Sequence, residues 1–258
     1  MSNFHTFQQL HQQESIFHIG NVWDSQSALM FEKAGYQALG TSSAAIADTL
    51  GYEDGEQMPF DALVGIVTSI IDKVSIPLSV DIEAGYSRDI GSVVSNIIRL
   101  ANVGVVGINL EDSIVNEEGS RQIVDASEFS KKIQTIKARL YEQKVDVFLN
   151  IRTDPFIMGL DKPQEKAIER ARLYEHAGAD GIFIPCVVDE NDIKQLVDCV
   201  SIPVNVMAMP TLPSFLILES VGVKRVSSGP FVYNKVKAAL GDYLNNIEQE
   251  KSFLPLFE

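Results

Sequence analysis

The sequence predicts a single (β/α)8 TIM barrel, an α/β fold in which eight parallel strands alternate with helices. Short apolar runs alternate along the chain with stretches of helical periodicity, which is typical of a parallel sheet covered by helices. The chain also contains an internal repeat. The segment "DKVSIPLSV" at 72–80 is similar to "DCVSIPVNV" at 198–206, about half of the 258 residues further on. Eight repeated units with a half-length echo are typical of a closed barrel. A doubly wound open sheet is the alternative, but no G-x-G-x-x-G turn follows the first predicted strand.

Eight apolar runs rich in Val, Ile, Leu and Phe predict the strands. They lie at 17–22, 38–43, 76–83, 105–112, 147–154, 181–186, 203–208 and 225–229. Stretches with helical spacing between them include 59–73, 89–102, 126–143 and 163–177. Glycines after four helical stretches predict left-handed helix caps, at Gly35, Gly104, Gly178 and Gly222. No linker divides the chain, so we expect one domain over 1–258 with the barrel at about 16–240.

The composition excludes several classes of function. A formal net charge of −14 argues against binding to nucleic acid or to an anionic membrane, because a surface that follows phosphates must be basic. No run of 18 apolar residues predicts a membrane span, and the polar stretch 1–15 does not resemble a secretory signal. Two cysteines, Cys186 and Cys199, are too few for a disulfide framework. We therefore expect a cytoplasmic protein whose partner is a small molecule.

Polar and charged residues gather at the predicted C-terminal ends of the strands, where barrels of this type hold their active sites. The residues at these ends are Asn21, Trp23, Asp24, Ser42, Ser43, Asp81, Glu83, Glu111, Asp112, Arg152, Asp154, Cys186, Asn205, Ser227, Ser228 and Gly229. No histidine or lysine is among them. This argues against a catalytic triad, a zinc site and a Schiff-base aldolase.

Three acids at neighbouring strand ends predict a metal site. Asp81 and Glu83 are two residues apart and would share one face of a strand, with Glu111 on the next strand. Such a cluster stays ionised at low cost only if a cation lies among its members. All-oxygen ligands favour a hard ion, Mg2+ or Mn2+, which keeps several waters. The alternative is that these acids pair with Arg88 or face solvent, while Arg152 either neutralises one of them or clamps a substrate carboxylate.

With these residues identified, the chain resembles the isocitrate lyase/phosphoenolpyruvate mutase superfamily over about residues 16–235. "VDIEAGYS" is similar to the Asp-x-Asp-x-Gly-Tyr-Gly element of that family, "INLEDS" to its Glu-Asp element and "NIRTDP" to its Ala-Arg-Thr-Asp element. "TSSAAIADTLGYED" resembles the stretch in which a Ser-Gly pair is followed twelve residues later by an aspartate, here Asp54.

The resemblance implies a role for each acid in holding the metal. Asp81 would bind Mg2+ directly, whereas Glu83 and Glu111 would hold the ion mainly through water. Family members pass through a pyruvate enolate, which such an ion stabilises as charge develops on oxygen. They also form oligomers that exchange their last helix. We therefore expect a homo-oligomer, a dimer or a tetramer, with a C-terminal assembly segment at about 241–258.

The resemblance also implies a set of substrate contacts. Ser42 and the backbone N–H of Ser43 would bind the carboxylate of an α-oxo acid, and Arg152 would neutralise charge on this acid or its enolate. Asp54 would lie near the metal and the reacting group. Asn205, at the end of the seventh predicted strand, is a further candidate for substrate binding.

The chain departs from the family in the groups that specialise the reaction. Lyases of the family carry a cysteine-containing loop after the fourth strand, whereas the corresponding loop at 113–125 has neither cysteine nor lysine. Mutase-like members have a histidine where Pro185 stands and an asparagine to which Asn116 corresponds only loosely. The family's aromatic residue two positions before the serine is Gly40 here. Trp23 either fills that space or packs against its neighbours.

These features predict a Mg2+-dependent enzyme that acts on a small α-oxo acid through a pyruvate-type enolate, as a C–C lyase or a decarboxylase. P–C bond chemistry of the phosphoenolpyruvate mutase or phosphonopyruvate hydrolase kind is the alternative within the family. A barrel that binds oxo acids without turnover is an alternative from another class. A sugar-phosphate enzyme that uses the "SSGP" turn at 227–230 as a phosphate cradle is a further one.

Overall fold

Eight parallel strands close into a barrel in the computed structural model, which describes residues 2–116 and 118–257. The strands of the chain are β1 (Phe17–Val22), β2 (Leu39–Thr41), β3 (Leu78–Asp81), β4 (Gly107–Glu111), β5 (Ser113–Val115), β6 (Arg121–Ile123), β7 (Phe148–Arg152), β8 (Gly181–Ile184), β9 (Val204–Met207) and β10 (Arg225–Ser227). All of them except β5 and β6 belong to the barrel, whose order around the axis is β1-β2-β3-β4-β7-β8-β9-β10. The predicted (β/α)8 fold is therefore confirmed.

Helices connect the barrel strands and cover their outer faces. They are α1 (Asn3–Gln12), α2 (Ser25–Lys33), α3 (Ser43–Thr49), α4 (Phe60–Ile71), α5 (Ile90–Asn102), α6 (Ala126–Glu142), α7 (Pro163–His176), α8 (Glu190–Asp198), α9 (Phe215–Ser220), α10 (Phe231–Glu250) and a short 3-10 helix (Leu254–Leu256). The four glycines predicted as helix caps all have positive φ, between +89° and +106°. None of the described helices is both long enough and apolar enough to cross a membrane.

The strand predictions are confirmed at all eight places, and the structure adds a two-stranded hairpin and an N-terminal helix. The segment 113–125, which we expected to be a loop, contains an antiparallel hairpin in which Ser113 pairs with Ile123 and Val115 with Arg121. Glu117 lies outside the described residues. Helix α1 precedes the expected start of the barrel at residue 16.

Helix α1 closes the N-terminal end of the barrel. Its residues Phe7 and Leu10 are buried against Phe17, Ile19 and Phe148, whose side chains point into the barrel interior at its lower end. Burial of large aromatic and aliphatic side chains contributes about 1.5–3 kcal/mol each to folding. The lower end is thus an apolar plug, which leaves the opposite end as the open mouth.

Helix α10 runs without interruption across residue 240, so the expected boundary between barrel and assembly segment is not an element boundary. None of its side chains is buried within the chain. Four of its apolar residues are half exposed or more, Val236, Leu240, Tyr243 and Leu244. This helix therefore presents an unpartnered apolar surface.

A buried aspartate ties the ends of two barrel strands to a helix. Asp112 follows β4 and is completely buried. It accepts hydrogen bonds from Thr153 Oγ1 (2.6 Å), Arg170 Nη1 (2.8 Å), the Tyr174 hydroxyl (2.8 Å) and the backbone N–H of Asp154 (3.1 Å). Four donors satisfy both oxygens of the carboxylate, so these contacts hold α7 against the mouth of the barrel.

We expect Asp112→Ala to lower the free energy of unfolding by about 3–5 kcal/mol, because it leaves the Arg170 guanidinium buried without its counter-ion. Asp61→Ala is the matched control, since Asp61 pairs with Arg99 on the surface at 84% side-chain exposure and such pairs contribute under about 1 kcal/mol. Urea unfolding of both variants checks this expectation. Equal losses of stability would show that Asp112 does not anchor α7.

Candidate active site

A cavity of about 180 Å3 opens at the C-terminal end of the barrel strands. Its walls are formed by Asn21, Thr41, Ser42, Ser43, Ala44, Asp54, Asp81, Asn109, Arg121, Arg152, Ile157, Phe183, Pro185, Met207, Ser227, Gly229 and Pro230. A larger concavity of about 590 Å3 lies at the opposite end, between α1 and the starts of the strands. We take the smaller cavity as the candidate active site, because strand C-termini carry the chemistry of such barrels and most of the predicted residues converge there.

Asp81 is the last residue of β3 and points into this cavity. Its carboxylate accepts hydrogen bonds from the Ser43 hydroxyl (3.2 Å) and from the backbone N–H of Glu83 (3.0 Å). Burial raises the pKa of Asp81. No lysine or arginine of the described residues lies within salt-bridge distance of it, so its charge lacks a direct counter-ion.

Glu83 is close to Asp81 but does not line the cavity. The strand ends at Asp81, and the backbone of Glu83 takes the left-handed conformation with φ +50°, so the expected strand alternation stops before it. Gly85 (φ +109°) completes the turn, where an added Cβ would lie 2.8 Å from Val93. Burial, followed by the charges of neighbouring carboxylates, raises the pKa of Glu83 to about 9. A left-handed glutamate beside a binding cavity is the kind of backbone strain that functional sites retain.

Glu111 is held by two guanidiniums. Its Oε2 lies 2.7 Å from Arg152 Nη1, and its Oε1 accepts a hydrogen bond from Arg121 Nη1. Burial nevertheless raises the pKa of Glu111 to about 7, against the opposing effect of Arg152. The alternative in which Arg88 pairs with the acids is wrong, because Arg88 pairs with Glu56 at 2.7 Å. Glu111 therefore has less negative charge to offer a metal ion than the sequence suggested.

Arg152 lies at the mouth as predicted, but its guanidinium is already paired with two carboxylates of the protein. Its Nε and Nη2 donate to the two oxygens of Asp154 at 2.7 Å and 3.0 Å, and Nη1 faces Glu111. Both of these acids are buried. A bidentate pair of this kind is strong and directional. It keeps the Arg152 side chain rigid where it meets the cavity.

Arg121 is a functional residue that sequence reasoning missed. It projects from β6 of the hairpin, donates to the Ser113 hydroxyl at 2.7 Å, and lies 3.5 Å from Asp154 and 3.7 Å from Asp54. The available signal was the pattern "SIV", a polar turn and "RQIV", which is typical of a hairpin. The second strand of a hairpin runs back along the first, so Arg121 on β6 lies near the end of β4.

Ser42, Ser43 and Asp54 lie on the cavity wall as predicted. Ser42 is the N-cap of α3 and its hydroxyl accepts from the backbone N–H of Ala45 at 3.4 Å. Ser43 is the first residue of this helix, so its backbone N–H is not used within the helix. The Asp54 side chain is 45% exposed, and it faces the cavity across from Arg121.

The structure places two predicted substrate contacts elsewhere. Asn205 lies inside the barrel below the cavity, where its amide nitrogen donates to the backbone oxygens of Val206 (2.7 Å) and Arg225 (3.2 Å). Trp23 packs edge-on against Tyr233 of α10, with ring centroids 5.1 Å apart. Neither lines the cavity, because one side chain points down the barrel axis and the other points outward to a helix.

The "SSGP" turn is not free to cradle a phosphate. The backbone N–H groups of Ser228 and Gly229 both donate to Asn21 Oδ1, at 2.7 Å and 3.1 Å. A phosphate would have to displace this side chain from the amides that a cradle requires. The geometry thus argues against a sugar-phosphate enzyme.

The charges of the site fit a hydrated divalent cation. Five carboxylates, those of Asp54, Asp81, Glu83, Glu111 and Asp154, face the guanidiniums of Arg121 and Arg152. This leaves three excess negative charges when all the groups are ionised. Among the described residues, no three Asp, Glu, His or Cys side chains converge closely enough to enclose a bare ion. These oxygen donors fit a hard divalent cation, such as Mg2+ or Mn2+, that keeps most of its waters.

Comparisons with known proteins show which proteins this chain is similar to. The family model described as phosphoenolpyruvate phosphomutase matches residues 7–248. An uncharacterised protein of Mycobacterium tuberculosis is 31% identical over 229 residues, which cover 89% of this chain and 83% of that protein. The oxaloacetate decarboxylase of Pseudomonas entomophila is 28% identical over 233 residues, 88% of this chain and 78% of that enzyme. The crystal structure of a proposed phosphonomutase from Burkholderia cenocepacia J2315 superposes with a TM-score of 0.87 at 32% identity, over 94% of this chain and 99% of that one.

The raised pKa of Glu83 predicts a pH-dependent stability in metal-free protein. The folded state holds the Glu83 proton more tightly than the unfolded chain does, so the free energy of unfolding falls as the pH rises from the ordinary carboxyl range to about 9. We expect Glu83→Gln to remove this loss and to be about 1–3 kcal/mol more stable than wild type at pH 8. Urea unfolding in EDTA between pH 5 and pH 9 measures it. Glu142→Gln, an exposed change on α6, is the control, and a Glu83→Gln profile parallel to the wild type would contradict the assignment.

Proposed function

This chain belongs to the phosphoenolpyruvate phosphomutase family, within the isocitrate lyase/phosphoenolpyruvate mutase superfamily, and we propose that it is a Mg2+-dependent lyase of small α-oxo acids. The proposed reaction removes a carboxylate from an oxaloacetate-like acid and yields a pyruvate-type enolate. Superfamily membership identifies an enzyme with lyase or mutase chemistry. The substrate, the metal and the kind of bond broken are the content of the proposal.

The observation that carries this proposal is that one wall of the cavity is polar and the opposite wall is apolar. Acids and hydroxyls, among them Asp81, Ser42 and Ser43, form one wall, and the opposite wall is apolar, formed by Ile157, Phe183, Pro185, Met207 and Pro230. The volume of about 180 Å3 lies below the roughly 300–1,000 Å3 of pockets for drug-sized ligands. This space suits a three- to five-carbon acid.

The polar wall would bind the oxo-acid end of the substrate. The Ser42 hydroxyl and the Ser43 backbone N–H would donate to its carboxylate, because both lie at the cavity surface. Arg152 would offset the charge that develops on the oxo oxygen. Its own pairing with Asp154 and Glu111 holds it in place, so this stabilisation requires no rearrangement.

Asp81 would hold the metal ion directly and Glu83 would hold it through water. A bound Mg2+ would supply a Lewis acid next to the oxygens of the oxo acid. Ser43 would orient Asp81 through their hydrogen bond of 3.2 Å. Glu111, which is committed to Arg121 and Arg152, would act chiefly by fixing those two guanidiniums.

The apolar wall favours decarboxylation among the lyase reactions. As the C–C bond breaks, the carboxylate leaves as CO2, its electron pair stays on the oxo-acid fragment, and the resulting enolate takes a proton from water. A leaving carboxylate beside Phe183 and Pro185 is poorly hydrated, and its charge disappears on reaction. The reaction does not need the cysteine acid that the loop at 113–125 lacks. The relationship to proteins named oxaloacetate decarboxylase supports this choice.

P–C bond chemistry is the second candidate, because a proposed phosphonomutase is a structural relative at 32% identity. A phosphonate carries more charge than a carboxylate and requires free cationic donors. The basic side chains on the cavity wall are those of Arg121 and Arg152, and both are already paired with buried acids. This pairing makes P–C chemistry the less favoured candidate.

We also propose that α10 joins copies of this chain into a homo-oligomer. The helix exposes Val236, Leu240, Tyr243 and Leu244, and none of its side chains is fully buried within its own chain. Exposed apolar surface of this extent marks a contact between proteins. The molar mass from light scattering tests this proposal, and a monomer would refute it.

We expect Asp81→Asn to abolish binding of Mg2+ and Mn2+, because it removes the one carboxylate that lines the cavity without a counter-ion. The amide keeps the shape of the side chain, so the thermal unfolding temperature of metal-free protein should change little. Asp61→Asn on the surface of α4 is the control. Calorimetric titration decides the matter, and unchanged affinity in Asp81→Asn would refute the metal site.

With Mg2+ present we expect the protein to release pyruvate from oxaloacetate, and to show no appreciable cleavage of isocitrate or methylisocitrate, whose enolates need a positioned acid. Coupled pyruvate and glyoxylate assays measure these activities. Asp81→Asn at equal Mg2+ corrects for decarboxylation by the free ion, and we expect the wild type to be at least about tenfold faster than this control. Turnover of phosphonopyruvate alone would favour P–C chemistry, and binding of all acids without turnover would indicate a binding protein.

A further inference from the structure

A layer of polar side chains fills the barrel directly below the cavity. Asn109, Asn150, Asn205 and Arg225 all point inward from their strands and are buried. Barrel interiors are usually filled by branched apolar residues, which need no hydrogen-bond partners. A buried polar layer lowers stability unless its groups are paired. Because the polar layer lies under the cavity floor, its side chains are placed to orient groups that face the cavity.

The amide of Asn109 has one possible orientation. Its Oδ1 faces Arg225 Nη2 at 3.4 Å and Asn150 Nδ2 at 2.9 Å. A guanidinium has donors only, so the amide atom that faces it must be the oxygen. The same logic fixes Asn205, whose nitrogen faces two backbone oxygens and whose oxygen therefore accepts from Asn150 at 3.3 Å.

Asn109 Nδ2 is consequently turned away from the layer. Asn109 lines the cavity and is the register partner of Asp81 on the adjacent strand. Within residues 2–116 and 118–257, this nitrogen donates no hydrogen bond to a protein acceptor, whereas Oδ1 accepts from Asn150 and Arg225. Two N–H groups are therefore available at the cavity floor, next to the proposed metal ligand.

We infer that Asn109 is a substrate-binding residue whose Nδ2 donates a hydrogen bond to an oxygen of the bound α-oxo acid, and that Arg225 is the positioning residue that fixes this amide. The class of ligand rests on the proposed function. The orientation of the donor does not, since it follows from Arg225, Asn150 and Asn205 alone.

The unfavourable burial of the Arg225 guanidinium supports its role as a positioning residue. Its side chain is fully buried, and its Nε and Nη1 have no partner among the described residues. Burial lowers the pKa of Arg225 to about 9. A methionine of similar length would fill the same space without unpaired donors, and such replacements are often neutral or stabilising. The guanidinium therefore contributes something other than stability.

The backbone makes room for the arrangement. Gly181 on β8 faces the layer, and a Cβ there would lie 2.9 Å from Asn150 Oδ1. Any larger residue would push Asn150 away from Asn109. The glycine thus permits the contact that holds the amide from the side opposite Arg225.

Calorimetric titration with oxalate, a planar dianion shaped like the pyruvate enolate, tests the inference with Mg2+ in excess. We expect Asn109→Ala to bind oxalate about ten- to a hundredfold more weakly, the effect of losing a hydrogen bond to a charged group. Asn109→Leu, which keeps the volume, should show the same loss and covers the case in which the alanine variant does not fold. Ser79→Ala is the control, since Ser79 lies in the barrel interior but its hydroxyl contacts neither Asn109 nor the cavity, and its affinity should stay within twofold of wild type.

The positioning role of Arg225 is tested by comparing oxalate affinity with stability, because a purely structural role would change the two together. We expect Arg225→Met to be at least as stable as wild type in urea and yet to bind oxalate about three- to tenfold more weakly, because the Asn109 amide is then free to rotate. Arg225→Lys should restore part of the affinity, since an ammonium also donates to Oδ1. Full affinity in Arg225→Met would overturn the positioning role.

Failure of this inference can be distinguished from failure of the proposed function. Oxalate affinity is measured without turnover, so an inactive wild type that loses oxalate binding in Asn109→Ala refutes the decarboxylase and supports the binding role. An active wild type whose Asn109 variants bind oxalate normally supports the decarboxylase and overturns the binding role. If the wild type binds neither oxalate nor pyruvate, the inference falls together with the ligand class.

Discussion

The excess of carboxylates over guanidiniums at the barrel mouth is the constraint on which the rest of the site depends. Among the described residues, Asp81 and Glu83 have no basic partner within salt-bridge distance and Asp54 meets Arg121 at 3.7 Å, while Glu111 and Asp154 occupy both arginines. Burial, together with repulsion between neighbouring carboxylates, makes ionisation of Asp81 and Glu83 unfavourable and raises the pKa of both. A cation reverses the sign of that interaction. The proposed metal ion would therefore stabilise this site, and its removal would leave these acids repelling one another.

The same charges explain the hairpin after β4. Arg121 reaches back from β6 to Glu111, Asp154 and Asp54, which lie on three different segments of the chain. Without this guanidinium, Glu111 and Asp154 would share the single charge of Arg152. The hairpin thus serves electrostatics at the position where the lyases that the chain resembles carry a reactive cysteine. The loop supplies a fixed cation and contains no cysteine or lysine, which suits the proposed reaction, since that reaction needs charge stabilisation more than a positioned acid.

The fold and the acids of the site followed from local sequence signals, whereas the partners of those acids did not. Strand periodicity and glycine caps are local patterns, and they located all eight barrel strands. Asp81 was identifiable because a strand end in a barrel points to the mouth. Asn205 was misplaced because a shift of one layer along the barrel axis moves an inward-facing side chain from the cavity to the core, and periodicity alone does not define that layer. Arg121 was missed because its place in the site depends on hairpin pairing across the segment 113–125, which was interpreted as a loop although its pattern is typical of a hairpin.

The position of the polar layer along the barrel axis affects both the stability of the fold and the binding of the substrate. A lower plug of Phe7, Phe17 and Phe148 supplies apolar burial at one end, which allows the middle layer to contain asparagines and an arginine. Those residues add little to folding, since hydrogen bonds in proteins exchange with hydrogen bonds to water and contribute about 1 kcal/mol each. Their value is directional, because a guanidinium below an amide determines which amide atom faces the cavity. An apolar middle layer would stabilise the barrel equally well and would leave the floor without a donor. The polar layer is therefore best understood as part of the binding site, although only Asn109 reaches the cavity.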